Sequence, residues 1–91
     1  MISKLANISS GANLGDNVRI DAFSIITDNV TIGANTIIHS NVVIYSGTTI
    51  GEGCEVFPGA VLGATPQDLK FVGEDTTVEI GNNTVIRECV T

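Results

Sequence analysis

Apolar positions in this chain recur every six residues. Stepping by six from Ile2 gives Ile2, Ile8, Leu14, Ile20, Ile26, Ile32, Ile38, Ile44, Ile50, Val56 and Leu62, eleven branched aliphatics without exception. A helix of 3.6 residues per turn does not return the same face every six, and a simple strand alternation does not single out one residue in six. Four residues after each aliphatic comes a smaller class: Ala6, Ala12, Val18, Ser24, Val30, Thr36, Val42, Thr48, Cys54 and Ala60. A strand holding the small residue, an outward residue and the next aliphatic points its first and third residues to the same side. Triplets such as Val30-Thr31-Ile32, Thr36-Ile37-Ile38 and Val42-Val43-Ile44 therefore predict short strands rich in β-branched residues.

Three residues remain between strands to turn a corner. The slot three after each aliphatic holds Leu5, Gly11, Asn17, Phe23, Asn29, Asn35, Asn41, Gly47, Gly53 and Gly59, then Asn83 and Cys89, and nine of these twelve are Gly or Asn. These two residue types tolerate positive φ, which a tight corner demands. Three strands and three corners close a triangular coil of eighteen residues, a period visible in Leu14-Gly15-Asp16-Asn17, Ile32-Gly33-Ala34-Asn35 and Ile50-Gly51-Glu52-Gly53. Coils stacked at strand spacing make three parallel sheets around an aliphatic interior, so the fold class is an all-β solenoid.

One stretch interrupts the repeat. After Leu62 the next strand pattern is Val78-Glu79-Ile80, so residues 63–77 form a fifteen-residue connection where three would suffice, an insertion of twelve. The signature then returns as Ile80-Gly81-Asn82-Asn83, expected to stack on Ile50-Gly51, with Ile86 following in step. A long excursion from a rigid scaffold is a common seat of function.

Composition narrows the reading. A formal net charge of −6 disfavours nucleic acid and anionic membranes as partners. No apolar run reaches the length of a membrane span and residues 1–20 lack a signal-peptide core, so a cytoplasmic location is expected. Cys54 and Cys89 have neither metal-ligand spacing nor the density of a disulfide scaffold, and Cys54 falls in a small inward slot, as a buried free thiol. No metal site is expected. The lone histidine, His39, follows Ile38 and reads as an exposed corner residue.

The hexad pattern of residues 2–62 and 78–91 resembles the hexapeptide-repeat acyltransferase superfamily, which implies a left-handed parallel β-helix. Right-handed crossovers are the general preference, so the hand comes from the resemblance alone. The loop narrows it further. Pro66-Gln67-Asp68-Leu69-Lys70-Phe71, Gly73-Glu74, Val78-Glu79-Ile80-Gly81 and Ile86-Arg87-Glu88-Cys89-Val90-Thr91 are similar to the UDP-N-acetylglucosamine 3-O-acyltransferases that open lipid A biosynthesis in Gram-negative bacteria.

That resemblance implies transfer of a (3R)-hydroxyacyl chain from acyl carrier protein to the sugar 3-hydroxyl, without any further cofactor, in a homotrimer with clefts between neighbouring β-helices. It implies that Asp68 contacts the sugar nucleotide with Gln67 beside it, and that Lys70 lies toward the acyl and carrier side. Read from composition alone, these are solvated turn residues, and Leu69 and Phe71 are the loop's anchor.

The family's general base is a histidine that lies beyond the point matching Thr91, and His39 does not match it. Residues 1–91 are thus expected to be a partial β-helix domain, an N-terminal fragment inactive alone, that self-associates side by side or through its open last coil. A non-catalytic or engineered β-solenoid, or another hexapeptide-repeat sugar acyltransferase, is the alternative. A γ-type carbonic anhydrase needs several zinc histidines, and Thr31, Thr49 and Thr77 are too scattered for an ice-binding ladder.

Overall fold

The computed structural model describes residues 1–63 and 78–87. Among them are twelve strands and no helix: β1 (Asn7–Ile8), β2 (Asn13–Leu14), β3 (Arg19–Ile20), β4 (Ile25–Ile26), β5 (Thr31–Ile32), β6 (Ile37–Ile38), β7 (Val43–Ile44), β8 (Thr48–Ile50), β9 (Glu55–Val56), β10 (Val61–Leu62), β11 (Val78–Ile80) and β12 (Val85–Ile86). Every third strand joins the same sheet. The first sheet runs β1-β4-β7-β10, the second β2-β5-β8-β11 and the third β3-β6-β9-β12. All pairings are parallel, and the chain winds as a left-handed β-helix of eighteen residues per coil.

The register follows the hexad. Each aliphatic stacks on its equivalent one coil away, as in Ile20↔Ile38, Ile26↔Ile44 and Ile32↔Ile50. These side chains are sealed from water: Ile20, Ile38, Ile44 and Val56 have no exposed surface. Burying each contributes about 1.5–3 kcal/mol before the entropic cost of ordering. The axial end is different. Ile2 is bridged to Ile20 yet remains 44% exposed, since among the described residues it has a stacking partner on one side only.

Two details depart from the hexad reading. Most strands hold two residues instead of three, because the N–H of the small residue is taken by a group outside the strand ladder: Val42 N–H donates to Ser24 Oγ (3.2 Å) and Cys54 N–H to Thr36 Oγ1 (3.2 Å), each the small residue one coil back, and Ala60 N–H donates to the Phe57 carbonyl of its own corner (3.3 Å). Positive φ is found at Asn17, Phe23, Asn29, Asn35, Asn41, Gly47, Gly53, Gly59 and Asn83, but not at Leu5 or Gly11. Phe23 holds φ 66° despite its side chain, so the coil geometry overrides residue preference there.

Buried hydroxyls rivet one coil to the next. Ser24 Oγ donates to the His39 carbonyl (2.6 Å) while accepting from Val42 N–H. Thr36 Oγ1 repeats this with the Gly51 carbonyl (2.8 Å) and Cys54 N–H. Cys54 is a buried free thiol, and its Sγ reaches the Gly81 carbonyl (3.1 Å) in the same role. A polar atom therefore sits inside the apolar wall without being left unpaired.

Candidate functional site

The site begins at the corner between the first and second sheets, where the long connection departs. The outward slot after each first-sheet strand holds Ser9, Thr27, Tyr45 and Gly63. Tyr45 N–H still donates to the Leu62 carbonyl (2.9 Å), so the coil is regular up to that point. Gly63 then adopts φ 78°, and a Cβ there would collide with Thr48 Oγ1. Thr48 breaks the rivet pattern. Its hydroxyl donates back to Tyr45 of its own coil (2.9 Å), where Ser24 and Thr36 reach forward to the next.

The chain rejoins at Val78, whose N–H donates to the Gly47 carbonyl (3.0 Å). Val78, Glu79 and Ile80 pair with Thr48, Thr49 and Ile50, the stacking expected from the repeated signature. Asn82 Oδ1 accepts Glu52 N–H (2.8 Å) and Gly51 N–H donates to the Ile80 carbonyl (2.9 Å), fastening the resumed coil. Both feet of the connection are thus held by neighbouring strands of the β-helix. Gln67, Asp68 and Lys70, the sugar-nucleotide and carrier contacts that the resemblance implies, lie outside the described residues, as do Cys89 and the other residues of 88–91. The strand before the connection ends at Leu62 and the strand after it begins at Val78.

The described residues hold a second cluster, at the corner between the third and first sheets. Asp21, His39, Phe57 and Arg87 occupy one slot on successive coils, flanked by Arg19 and Glu55 from the strands. His39 Nε2 lies 2.8 Å from Glu55 Oε2 and Nδ1 lies 3.8 Å from Asp21 Oδ2. Arg19 Nε donates to Asp21 Oδ1 at 3.0 Å. The imidazole packs on the Phe57 ring (centroids 4.9 Å apart), and the Arg87 guanidinium stands 4.5 Å from the same ring centroid.

His39 is accordingly not the freely exposed corner residue expected from its position. Its side chain is 27% exposed and its ring is occupied on two sides. The eighteen-residue period contains the signal for this column: 39 minus and plus eighteen are 21 and 57, and the twelve-residue insertion carries 57 on to 87. No group of three or more His, Cys, Asp or Glu among the described residues is arranged to hold a metal ion. Glu55 and Asp21 approach opposite nitrogens of one ring, so they cannot share a cation with it.

The comparisons with known proteins agree with this architecture. The chain matches the bacterial transferase hexapeptide (six repeats) family over residues 11–46 and 30–64. It is 66% identical over 87 residues, 96% of its length, to the acyl-[acyl-carrier-protein]–UDP-N-acetylglucosamine O-acyltransferase of Sulfurimonas denitrificans, and covers 33% of that protein. It is 60% identical over 87 residues to the protein of the same name from Aliarcobacter butzleri, covering 96% of this chain and 34% of that one.

Among solved structures, the UDP-N-acetylglucosamine acyltransferase of Bacteroides fragilis superposes with a TM-score of 0.91 at 55% identity, over 97% of this chain and 34% of its own. That of Campylobacter jejuni gives 0.84 at 36% identity, over 96% of this chain and 36% of its own. The chain spans about a third of the length of these relatives and corresponds to their N-terminal part.

Proposed function

The chain belongs to the bacterial transferase hexapeptide family, and from that premise we propose that it is the substrate-loop portion of an acyl-[acyl-carrier-protein]–UDP-N-acetylglucosamine O-acyltransferase. The observation that carries this reading is the 66% identity that runs through 87 residues, loop included, to a protein of that name. The reaction is transfer of a (3R)-hydroxyacyl chain from the thioester of acyl carrier protein to the 3-hydroxyl of the glucosamine ring, the first step of lipid A biosynthesis. No cofactor takes part, since the carrier protein itself delivers the acyl group.

Within this reading the β-helix supplies rigidity and the connection between Gly63 and Val78 supplies contacts. The Asp68 carboxylate accepts hydrogen bonds from the sugar nucleotide, Gln67 stands beside it, and the Lys70 ammonium faces the acidic carrier or a phosphate. The hydroxyl attack on the thioester requires a general base, for which an imidazole is suited. His39 does not fill that role. It packs against Glu55 and Phe57 at the corner between the third and first sheets, whereas the connection leaves from the corner between the first and second. The 91 residues assayed by themselves are therefore inactive.

Side-by-side association as a homotrimer fits the unequal faces of the prism. The outward column of the first sheet is Asn7, Ile25, Val43 and Val61, bordered by Phe23 and Leu5, which are 61% and 63% exposed. On the second sheet the same column is Asn13, Thr31, Thr49 and Glu79. An apolar strip of this kind is the surface a neighbouring β-helix would cover. No helix among the described residues is long and apolar enough to cross a membrane.

A chimera tests the assignment. Residues 1–91 joined in register to the remaining two-thirds of the Sulfurimonas denitrificans relative should transfer a hydroxyacyl chain to UDP-N-acetylglucosamine, measured by mass spectrometry, while the 91 residues alone should not. A folded chimera without activity contradicts the assignment, and activity of the isolated chain contradicts the role given to His39.

A further inference from the structure

Among the described residues ten hold positive φ, and nine of them are Asn or Gly; the exception is Phe23, at 66°. A residue with a Cβ is strained in that region, and Asn offsets part of the strain through its short polar side chain where Phe does not. The backbone leaves position 23 no alternative. Its N–H is tied to the Leu5 carbonyl (3.1 Å), as Asn41 N–H is tied to the Ala22 carbonyl one coil on (3.3 Å), so Asn or Gly would suit this corner better. Packing within the chain does not account for the phenylalanine either, because it stays 61% exposed.

The ring borders the first sheet, where other exposed apolar residues gather. Of the seven large apolar residues that are exposed, Leu5, Phe23, Ile25 and Tyr45 stand on this side, while Met1 and Ile2 lie at the end of the stack and Val85 on the third sheet. No outward residue of the first sheet carries a charge, and neither do the residues two before and two after it. The same positions on the third sheet include Arg19, Asp21, Glu55 and Arg87. A chain of net charge −6 repels its own copy, and that repulsion is smallest through a face with no charge of its own. The face is also a ladder that repeats coil by coil, and a second copy laid alongside presents the same steps.

We propose that Phe23 is the anchor by which a second copy of this chain docks on the first sheet, its strained backbone persisting because the ring is buried against that copy and not within its own β-helix. This role rests on the side-by-side association proposed above and names the residue that carries it. An aromatic ring buries a large area with few rotatable bonds, which suits it to a central contact. Asn at position 23 would relax the corner and erase the contact. Stability of the single chain and association therefore move in opposite directions.

Sedimentation equilibrium and urea unfolding of the 91-residue chain separate the two effects, with unfolding read at dilutions where the chain is dissociated. Phe23→Asn should weaken association about thirtyfold or more, the loss expected of an interface hot spot, and should raise the urea midpoint. Phe23→Leu keeps an apolar side chain and the strain, so it should weaken association less and not raise the midpoint. Val85→Asn removes an equally exposed apolar side chain from the third sheet and should leave association unchanged. A wild-type chain that stays monomeric contradicts the association itself. If the wild type associates and Phe23→Asn associates as tightly, or Val85→Asn weakens it as much, the role of Phe23 alone is overturned. A Phe23→Asn midpoint below that of the wild type overturns it too, since the ring would then be held by its own chain.

Discussion

Two corners of the same prism use one backbone slot in opposite ways. At the corner between the second and third sheets, the residue after each inward aliphatic is Gly15, Gly33, Gly51 and Gly81. At the corner between the third and first sheets it is Asp21, His39, Phe57 and Arg87. A Cβ on Gly15 would sit 2.6 Å from Ala34 N, and one on Gly33 would sit 2.6 Å from the Gly51 carbonyl carbon. The first corner thus drives the Cβ direction into the backbone of the next coil, while the second leads side chains clear of it. A six-residue repeat fixes where the slots lie, and the approach of the next coil decides whether a slot can carry chemistry.

The sharpest way to break this comparison is Gly33→Ala, which has no flexible neighbour to yield. It should cost about 3 kcal/mol, the upper end for overpacking, and lower the urea midpoint accordingly. Thr36→Val should come next, at about 1–3 kcal/mol, because it leaves the Gly51 carbonyl and Cys54 N–H of a buried rivet without their shared partner. The smallest effect belongs to Gly81→Ala, within about 0.5 kcal/mol in the same assay, since an added Cβ meets nothing within 4 Å there. A Gly81→Ala cost equal to that of Gly33→Ala would show that glycine is required by the corner itself and not by the coil above it.

Much of this architecture is written in the hexad. The inward aliphatics, the small slots, the Asn and Gly corners and the return of Ile80 onto Ile50 all follow from period six and period eighteen, since stacking turns sequence spacing into contact. The hand of the winding does not follow, because side-chain periodicity is the same for either hand. Strand length is shorter than the hexad implies because hydroxyls at Ser24 and Thr36 divert small-residue N–H groups, a competition that depends on individual side chains. The surroundings of His39 are illegible in its local sequence for a different reason. Its environment is made by residues sixteen to eighteen positions away, and local exposure at a corner says nothing about a carboxylate and a ring on the next coil.

The corner between the first and second sheets combines both behaviours. Its slot carries Ser9, Thr27 and Tyr45 and then reaches Gly63, where positive φ and the nearness of Thr48 Oγ1 leave no room for a side chain. Chemistry is assigned to what leaves there, and cohesion to the His39 column on the far side of the first sheet. One paired measurement in the active chimera separates the two: Asp68→Ala against His39→Ala, each by steady-state kinetics and urea unfolding. Asp68→Ala should raise KM for UDP-N-acetylglucosamine tenfold or more, about 1.4 kcal/mol of lost binding, and leave the unfolding midpoint in place. His39→Ala should lower the midpoint by about 1 kcal/mol in stability and leave kcat and KM unchanged. Loss of kcat on removing His39, with Asp68→Ala silent, would contradict the division of labour between the two corners.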